Sequence, residues 1–460
     1  MKKRLLSGLI GLMAAQPVLS MDLVETYEKA LSYDSGIAAA RASFEAQQAA
    51  SDVSQSALLP QVNAYGEGNY IDVDGPGQDN SYRELNYGVQ LTQPLFRADA
   101  WFRYDASQYQ TEAARADYNL AQQQLILDVA TAYFNVLRAR DTVTTARATE
   151  AAIQRQYEQA QERFDVGLIA ITEVYEARAS YDDSKSQRIA AENQLNVARE
   201  QLARLTGEYA EDLENLRQNF PLGRPEPMDP SAWEATALEQ NWSIQSALYD
   251  LNASEAGLKE AKAGHYPTLD LNASYGKTNL DGIDGTGAPL TSQRDGTTTR
   301  GVIGLTLNVP LYSGGGTQAG VRQQRSLVTV AEQSLNTVRR DVRVNTRSLF
   351  LTVNNNIETA SALEQTIISR RSALDATRAG YEVGTRNIVE VLDAERAYYV
   401  ALRDYANARY DYVINSLQLK QAAGTLSPQD LLELNNWLSA TAPGIEALAH
   451  EEETLDDPTR

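Results

Sequence analysis

RFDVGLIAITEVYEARASY, residues 163–181, returns as GYEVGTRNIVEVLDAERAY at 380–398, an offset of 217 positions. In that register Gly167 falls on Gly384, Glu173 on Glu390, Ala177 on Ala394 and, further along, Gly207 on Gly424. In each copy a glycine closes one helical pattern and a second pattern opens a few residues later, which is the signature of a helix–turn–helix tip. Upstream, QLTQPLF (90–96) precedes TLNVPLY (306–312) by 216 positions, while Pro60 precedes Pro267 by only 207, so the second hairpin is the longer. The chain therefore reads as two structural repeats, residues 21–207 and 231–424, each running helix, strand, strand, long helix, turn, helix.

Four stretches lack both glycine and proline: Leu95–Val166, Leu168–Thr206, Val321–Ala379 and Thr385–Ala423. Ala, Gln, Arg, Glu and Leu fill much of them, and all are strong helix formers. Apolar residues recur at 3–4 spacing, as in Leu125, Val129, Ala132, Val136 and Ala139, beside a second stripe of Ile126, Ala130, Tyr133 and Leu137. A helix with two adjacent seams can pack on a neighbour at each side, as coiled-coil-like helices do. The expected helices are a first one over 22–58, then 98–165, 172–206, one at the start of the second repeat, 315–380 and 387–423.

Period two replaces this pattern in four short segments. Tyr87, Val89 and Leu91 alternate with Gly88, Gln90 and Thr92; Leu269, Leu271, Ala273 and Tyr275 alternate with Asp270, Asn272 and Ser274. Ile303, Leu305, Leu307 and Val309 repeat the pattern, and 62–71 carries it more weakly. Strands are expected at 61–71, 84–93, 267–278 and 299–309. About ten residues with one apolar and one small-polar face suit a membrane barrel. Tyr65, Tyr70, Tyr82, Tyr87, Tyr266 and Tyr275 suit its aromatic girdle. The loops 72–81 and 280–299 are rich in turn formers.

Composition removes whole classes of function. Of 460 residues 61 are Asp or Glu and 41 Lys or Arg, a net charge of -20 that argues against a nucleic-acid partner. There is no cysteine, and the two histidines are His265 and His450, so thiol chemistry and Cys/His metal sites are excluded and neither cofactor nor metal is expected. SGGG (313–316) lacks the Lys-Ser/Thr of a phosphate loop and reads as a swivel between strand and helix. DGIDGTG (281–287) reads as turns in an outer loop. No nucleophile–base pair can be assembled, so an enzyme is not expected. Residues 1–20 read as a secretory signal, with Lys2, Lys3 and Arg4 before the apolar Leu5–Met13 and small residues ahead of a cut. Beyond it no run of 18 apolar residues occurs, so a membrane would have to be crossed by strands. Residues 441–460 read as a disordered acidic tail.

A helix over 98–165 runs roughly 100 Å at about 1.5 Å per residue, and the two shorter ones laid end to end match it. Four strands cannot close a barrel when the smallest membrane barrels have about eight. Association with further copies is required, and a homotrimer would bring about twelve strands around one axis. The expected fold class is thus an α+β membrane protein: a homotrimeric β-barrel with four strands per chain, continued by a long α-helical barrel with coiled-coil tips. A periplasmic coiled-coil adaptor or scaffold without a pore is the alternative. Alternating strands flanked by tyrosines weigh against it.

RFDVGLIAITEV (163–174), AKAGHYPTLDLNASYG (261–276) and the run from Ala379 to Leu438 resemble the TolC-type outer-membrane ducts of Gram-negative bacteria, and the resemblance extends from Asp22 to about Leu438. It implies a trimeric duct of the outer membrane with a periplasmic extension and a small equatorial region, here 208–230 with 425–440. It further implies a passive exit for drug efflux and type I protein secretion. The implied partners are a periplasmic adaptor (membrane fusion) protein, an inner-membrane pump or ABC transporter, and outer-membrane lipid.

A duct needs a gate, and the two tips differ. The second carries Tyr381 and Arg386 where the first has Phe164 and Ile169, and the first offers Thr172 and Glu173 as acceptors. The resemblance implies that Tyr381 and Arg386 bond to Thr172 and Glu173 and hold the tips closed, with Gly167 and Gly384 in the turns. Glu390 and Asp393, about one helical turn apart, match the family's constricting acidic rings. Like charges held close attract cations, so a cation-selective constriction is expected. The family usually has Asp where this chain has Glu173 and Glu390, which changes bond geometry and ring diameter. Solvated tip charges without a gating role are the alternative.

Overall fold

The computed structural model describes residues 20–75, 78–282 and 295–442. Most of the signal sequence, most of the DGIDGTG stretch, His450 and nearly all of the acidic tail lie outside the described residues. In chain order the elements are α1 (Leu23–Tyr33), α2 (Ser35–Ser56), β1 (Gln61–Gly75), β2 (Gln78–Phe96), α3 (Ala98–Asp165), α4 (Ile171–Thr206) and β3 (Asn215–Leu216). Then follow α5 (Pro230–Gln240), α6 (Trp242–Ala263), β4 (Thr268–Asp281), β5 (Gly296–Asn308), α7 (Gly316–Glu382), α8 (Ile388–Ala422), α9 (Pro428–Asn435) and β6 (Leu438–Ser439). Chain packing divides these into two units: Ala38–Ala121 with Leu238–Arg343, and the described parts of Met1–Ile37, Gln122–Ala237 and Val344–Arg460.

The helix expected over 22–58 is two helices. Asp34 leaves helical geometry (φ -65°, ψ 124°), and its carboxylate accepts from the Ile37 amide at 3.0 Å, starting α2. Asn241 (φ -67°, ψ 125°) breaks the opening helix of the second repeat in the same way, its amide oxygen accepting from the Ser243 and Ile244 amides. A short Asx side chain competes with the helical backbone for the same donors, and a count of helix formers does not register that competition. The 68-residue α3 and 67-residue α7 run without such a break.

The sheet of the first unit has the order β1-β2-β4-β5, antiparallel throughout. The strands outrun their sequence pattern: β1 and β2 stay paired from Gln61–Thr92 to Gly75–Gln78, through most of the segment expected to be a loop. Ladder bonds belong to the backbone, so pairing continues where side-chain alternation fades. Register sorts the faces. Asn63, Gln90, Ser274 and Val302 share one row and face; Ala64, Val89, Tyr275 and Gly301 occupy the other face one residue along. Tyr65 lies across Gly88 and Gly276, and a Cβ on Gly276 would stand 2.5 Å from its hydroxyl oxygen. Among the described residues no helix is long and apolar enough to cross a membrane.

The second unit buries the doubly seamed part of α3. Tyr133, Phe134, Ile126 and Leu137 are fully buried, and Phe134 sits between Tyr133 (ring centroids 5.6 Å apart) and Tyr410 (5.8 Å). The Tyr133 hydroxyl donates to the Glu214 carbonyl at 3.0 Å. Arg140 binds the Leu213 carbonyl and the Asn215 side chain, holding β3, which pairs with β6. In this core the Tyr410 hydroxyl donates to Asp141 Oδ2 at 2.7 Å. Burial pushes the Asp141 carboxyl above its ordinary value, against the opposing pull of the Tyr410 hydrogen bond, Arg140 and Arg409.

That shift has a stability consequence with a definite sign. An acid whose folded pKa lies above its unfolded one binds a proton on folding, so stability is lost as pH rises from about 4, the ordinary Asp value, through the raised value. Asp141→Asn keeps an acceptor for Tyr410 and removes the buried charge. It is expected to raise stability above that window by on the order of 1 kcal/mol and to match the parent at lower pH. Chaotrope unfolding in detergent from pH 4 to 8 reads this directly, and parallel curves would contradict it.

Candidate functional site: the paired helix tips

Both tips close by the same local chemistry. The Leu168 amide returns to the Arg163 carbonyl and the Thr385 amide to the Gly380 carbonyl, each at 2.8 Å. Gly167 (φ 75°) and Gly384 (φ 77°) occupy the left-handed region that this closure needs. Asn387 then starts α8, its side chain accepting from the Glu390 amide at 2.9 Å.

One apolar cluster joins the tips. Ile153 and Ala160 of α3, Ala177 of α4, Tyr381 of α7 and Ile388, Val391 and Leu392 of α8 are buried together, with Tyr157, Ile169 and Tyr181 packed against them. Tyr157 and Tyr181 are stacked at 6.2 Å. The polar groups sit around this cluster and bond mostly within their own hairpin. Arg386, in the turn, pairs at 2.5 Å with Glu390, four residues on in the first turn of α8. Its side chain lies over Gly380, where a Cβ would come 2.7 Å from Arg386 Cγ. Arg396 lies 3.7 Å from Asp393 and 3.7 Å from Asp183.

The gate residues named from the sequence are therefore close neighbours in part only. Tyr381 is buried at 7% exposure with its hydroxyl unpartnered. Among the described residues the Thr172 and Glu173 side chains make no hydrogen bond or ion pair, Thr172 being exposed and Glu173 half-buried. Within one chain Arg386, in the turn just ahead of α8, takes Glu390 in the first turn of that helix and not Glu173, because a partner four residues on is close at hand. Both members of the expected acidic rings, Glu390 and Asp393, thus have an arginine beside them. No group of three or more potential metal ligands occurs among the described residues.

Two features escaped sequence reasoning. The Arg163 guanidinium carbon lies 4.6 Å from the Tyr381 ring centroid. Glu395 is 1% exposed, takes Arg378 on α7 at 2.7 Å, and keeps its second carboxylate oxygen buried without a partner. A signal for Glu395 exists: it falls in the apolar stripe Ile388, Val391, Leu392, Tyr398, Leu402, where a charge is out of place. Its burial is also felt by Tyr399, whose hydroxyl is raised by desolvation first and by the Glu395 charge second.

The sequence matches the family described as Outer membrane efflux protein over residues 26–208 and 233–425. It is 37% identical over 451 residues to Outer membrane protein TolC of Escherichia coli (strain K12), covering 95% of this chain and 90% of that one. It is 29% identical over 455 residues to Alkaline protease secretion protein AprF of Pseudomonas aeruginosa, covering 96% and 93%. The fold superposes on the crystal structure of the outer membrane protein VceC from Vibrio cholerae with a TM-score of 0.75, at 18% identity, over 87% of this chain and 96% of that one. Four antiparallel strands joined to helices of this length, with these matches, define an outer-membrane protein of a Gram-negative cell. The chain belongs to the outer membrane efflux protein family.

The buried pair gives a test of the tip's description. Glu395 is the desolvated partner and Arg378 the wetter one, with side-chain exposures of 1% and 41%. Arg378→Gln strands a buried carboxylate and is expected to cost about 3 kcal/mol. Glu395→Gln leaves a cation that water can reach and should cost only about 1 kcal/mol. Thermal unfolding of both variants in detergent checks the order, and a costlier Glu395→Gln would reverse the assignment.

Proposed function

We propose that the chain is the passive outer-membrane exit duct of tripartite efflux and type I secretion systems, assembled as a homotrimer and gated at its periplasmic helix tips. The observation that carries the trimer is the sheet: β1 and β5 are its two edges, each paired on one side only, and its faces are apolar and polar in alternation. Three copies joined edge to edge would close about twelve strands, with the apolar face toward lipid and the polar face lining the passage. AprF is named for secretion of a protease and TolC as an outer membrane protein, and both match nearly end to end, which supports the secretion and efflux roles. The two separately matched spans, and two pairs of helices nearly equal in length, support an internal repeat.

The duct carries no phosphate-binding loop, so energy comes from its partners: a periplasmic adaptor and an inner-membrane pump or ABC transporter. It is not an enzyme. The N-terminal twenty residues direct export, and β3, β6 and α9 form the equatorial region. A pore-free adaptor is disfavoured by strands that expose Ile303 (82%) and Leu305 (65%) on one face.

Thr172, Glu173, Tyr381 and Arg386 make the gate. In the closed trimer the exposed Arg386 of one copy exchanges Glu390 for Thr172 and Glu173 of the next. Below it Glu390 and Asp393 of three copies ring the axis, their charge offset only weakly by exposed arginines.

Arg386→Ser combined with Tyr381→Phe is expected to raise single-channel conductance in planar bilayers severalfold, and a conductance equal to the parent would remove these residues from the gate. Asp393→Ala is expected to weaken block by a multivalent cation such as hexaamminecobalt at least about threefold, given the loss of three ring charges. Undiminished block in that variant would dismiss the acidic ring.

A further inference from the structure

We propose that Arg163 is a positioning residue of the gate, clasping the Tyr381 ring and so tying the α3–α4 tip to the α7–α8 tip. This rests on the reading of the chain as a gated duct. Arg163 stands in the last turn of α3, where a cation is favoured by the helix carbonyls. Its guanidinium carbon is 4.6 Å from the Tyr381 centroid. Among the described residues Arg163 has no carboxylate partner, so the ring is its polar contact. Tyr381 is buried, its hydroxyl finds no acceptor, and the residues packed around it come from α3, α4 and α8. The ring, and not the hydroxyl, is therefore the part of Tyr381 that meets the other tip's cation.

The two sequence stretches show why this clasp runs one way. Arg163 aligns with Gly380 and Phe164 with Tyr381. The first tip supplies a cation; the second supplies an aromatic face and, at Gly380, a bare backbone over which Arg386 folds to meet Glu390. Arg386 is therefore engaged along its own hairpin, while Arg163 reaches across. A guanidinium on a ring that is largely out of water is the stronger kind of cation–π contact. It costs no buried unpaired charge, since the cation is only half-buried. Such a contact can be broken and remade without unfolding either helix.

The test uses full-length protein in planar bilayers. Arg163→Gln and Tyr381→Leu are each expected to raise the open fraction roughly threefold to tenfold, the range such a contact supports. The double variant should go no further than either single one. Arg163→Lys, which keeps a cation, should stay near the parent, and Tyr381→Phe alone, which keeps a ring, should open less than Tyr381→Leu. A merely structural arginine would not discriminate in this way. Hydrogen exchange of the 379–388 turn supplies a readout independent of current: faster in Arg163→Gln, unchanged in Arg163→Lys. Parental conductance and exchange in Arg163→Gln would overturn the clasp. So would opening by Tyr381→Phe alone as large as that by Tyr381→Leu. If neither parent nor any variant passes current, the duct reading falls, and the exchange data alone then decide whether the clasp exists.

Discussion

An antiparallel sheet of four strands has two edges, and each edge carries a row of backbone amides and carbonyls facing no partner. In water such a row is solvated. In a hydrocarbon layer every unmatched group costs several kcal/mol, which forbids an open sheet there. The edges here are β1 and β5, and the apolar residues that alternate along β5 are among the most exposed in the chain. Another edge with the same inward and outward parity removes the penalty, and a further copy of the chain has one. The helices show a parallel need. α7 leaves Val330 at 60%, Val344 at 67% and Leu351 at 65% exposure, apolar positions left open by the described residues. Both observations support the proposed association with further copies.

Along α3 the character of the contacts changes. Around residues 126–141 the helix is pinned by fully buried aromatic and aliphatic groups, by the Arg140 and Tyr133 bonds to the β3 strand, and by Asp141 with Tyr410. Around residues 153–163 it is held by a smaller apolar cluster and a cation on a ring, beside the exposed Arg386–Glu390 ion pair of the other tip. Exposed pairs of that kind are worth a few tenths of a kcal/mol to about 1 kcal/mol. The proposed gate thus falls where the contacts can be exchanged cheaply, and the buried anchor where they cannot.

Much of this was legible in the residues. The runs free of glycine and proline lie along α3, α4, α7 and α8 for most of their length, because long helices are set by local propensity, although α7 continues through Gly320 and Gly380. The four strands of the larger sheet were legible from period two, whereas the two-residue β3 and β6 were not. Strand length was not, because ladder bonds do not depend on which side chains alternate. The breaks at Asp34 and Asn241 were missed for a different reason. An Asx residue in a helical run is a weak signal until its side chain is seen to take the next helix's amides.

The tips divide the same way. Gly167 and Gly384, the acids Glu390 and Asp393, and Tyr381 and Arg386 stand out in the aligned stretches because a local turn and an i, i+4 spacing are written in consecutive residues. Which arginine faces which ring, and which carboxylate is buried, are not written there. Arg163 and Tyr381 are separated by more than two hundred positions, and Glu395 became a buried charge only when α7 brought Arg378 against it. The sequence alone determined the elements, their order and their faces, since these follow from near-neighbour propensities and periodicity. Tertiary structure alone decided the partners, since contact between distant side chains depends on how the helices pack, a collective outcome that no local window contains.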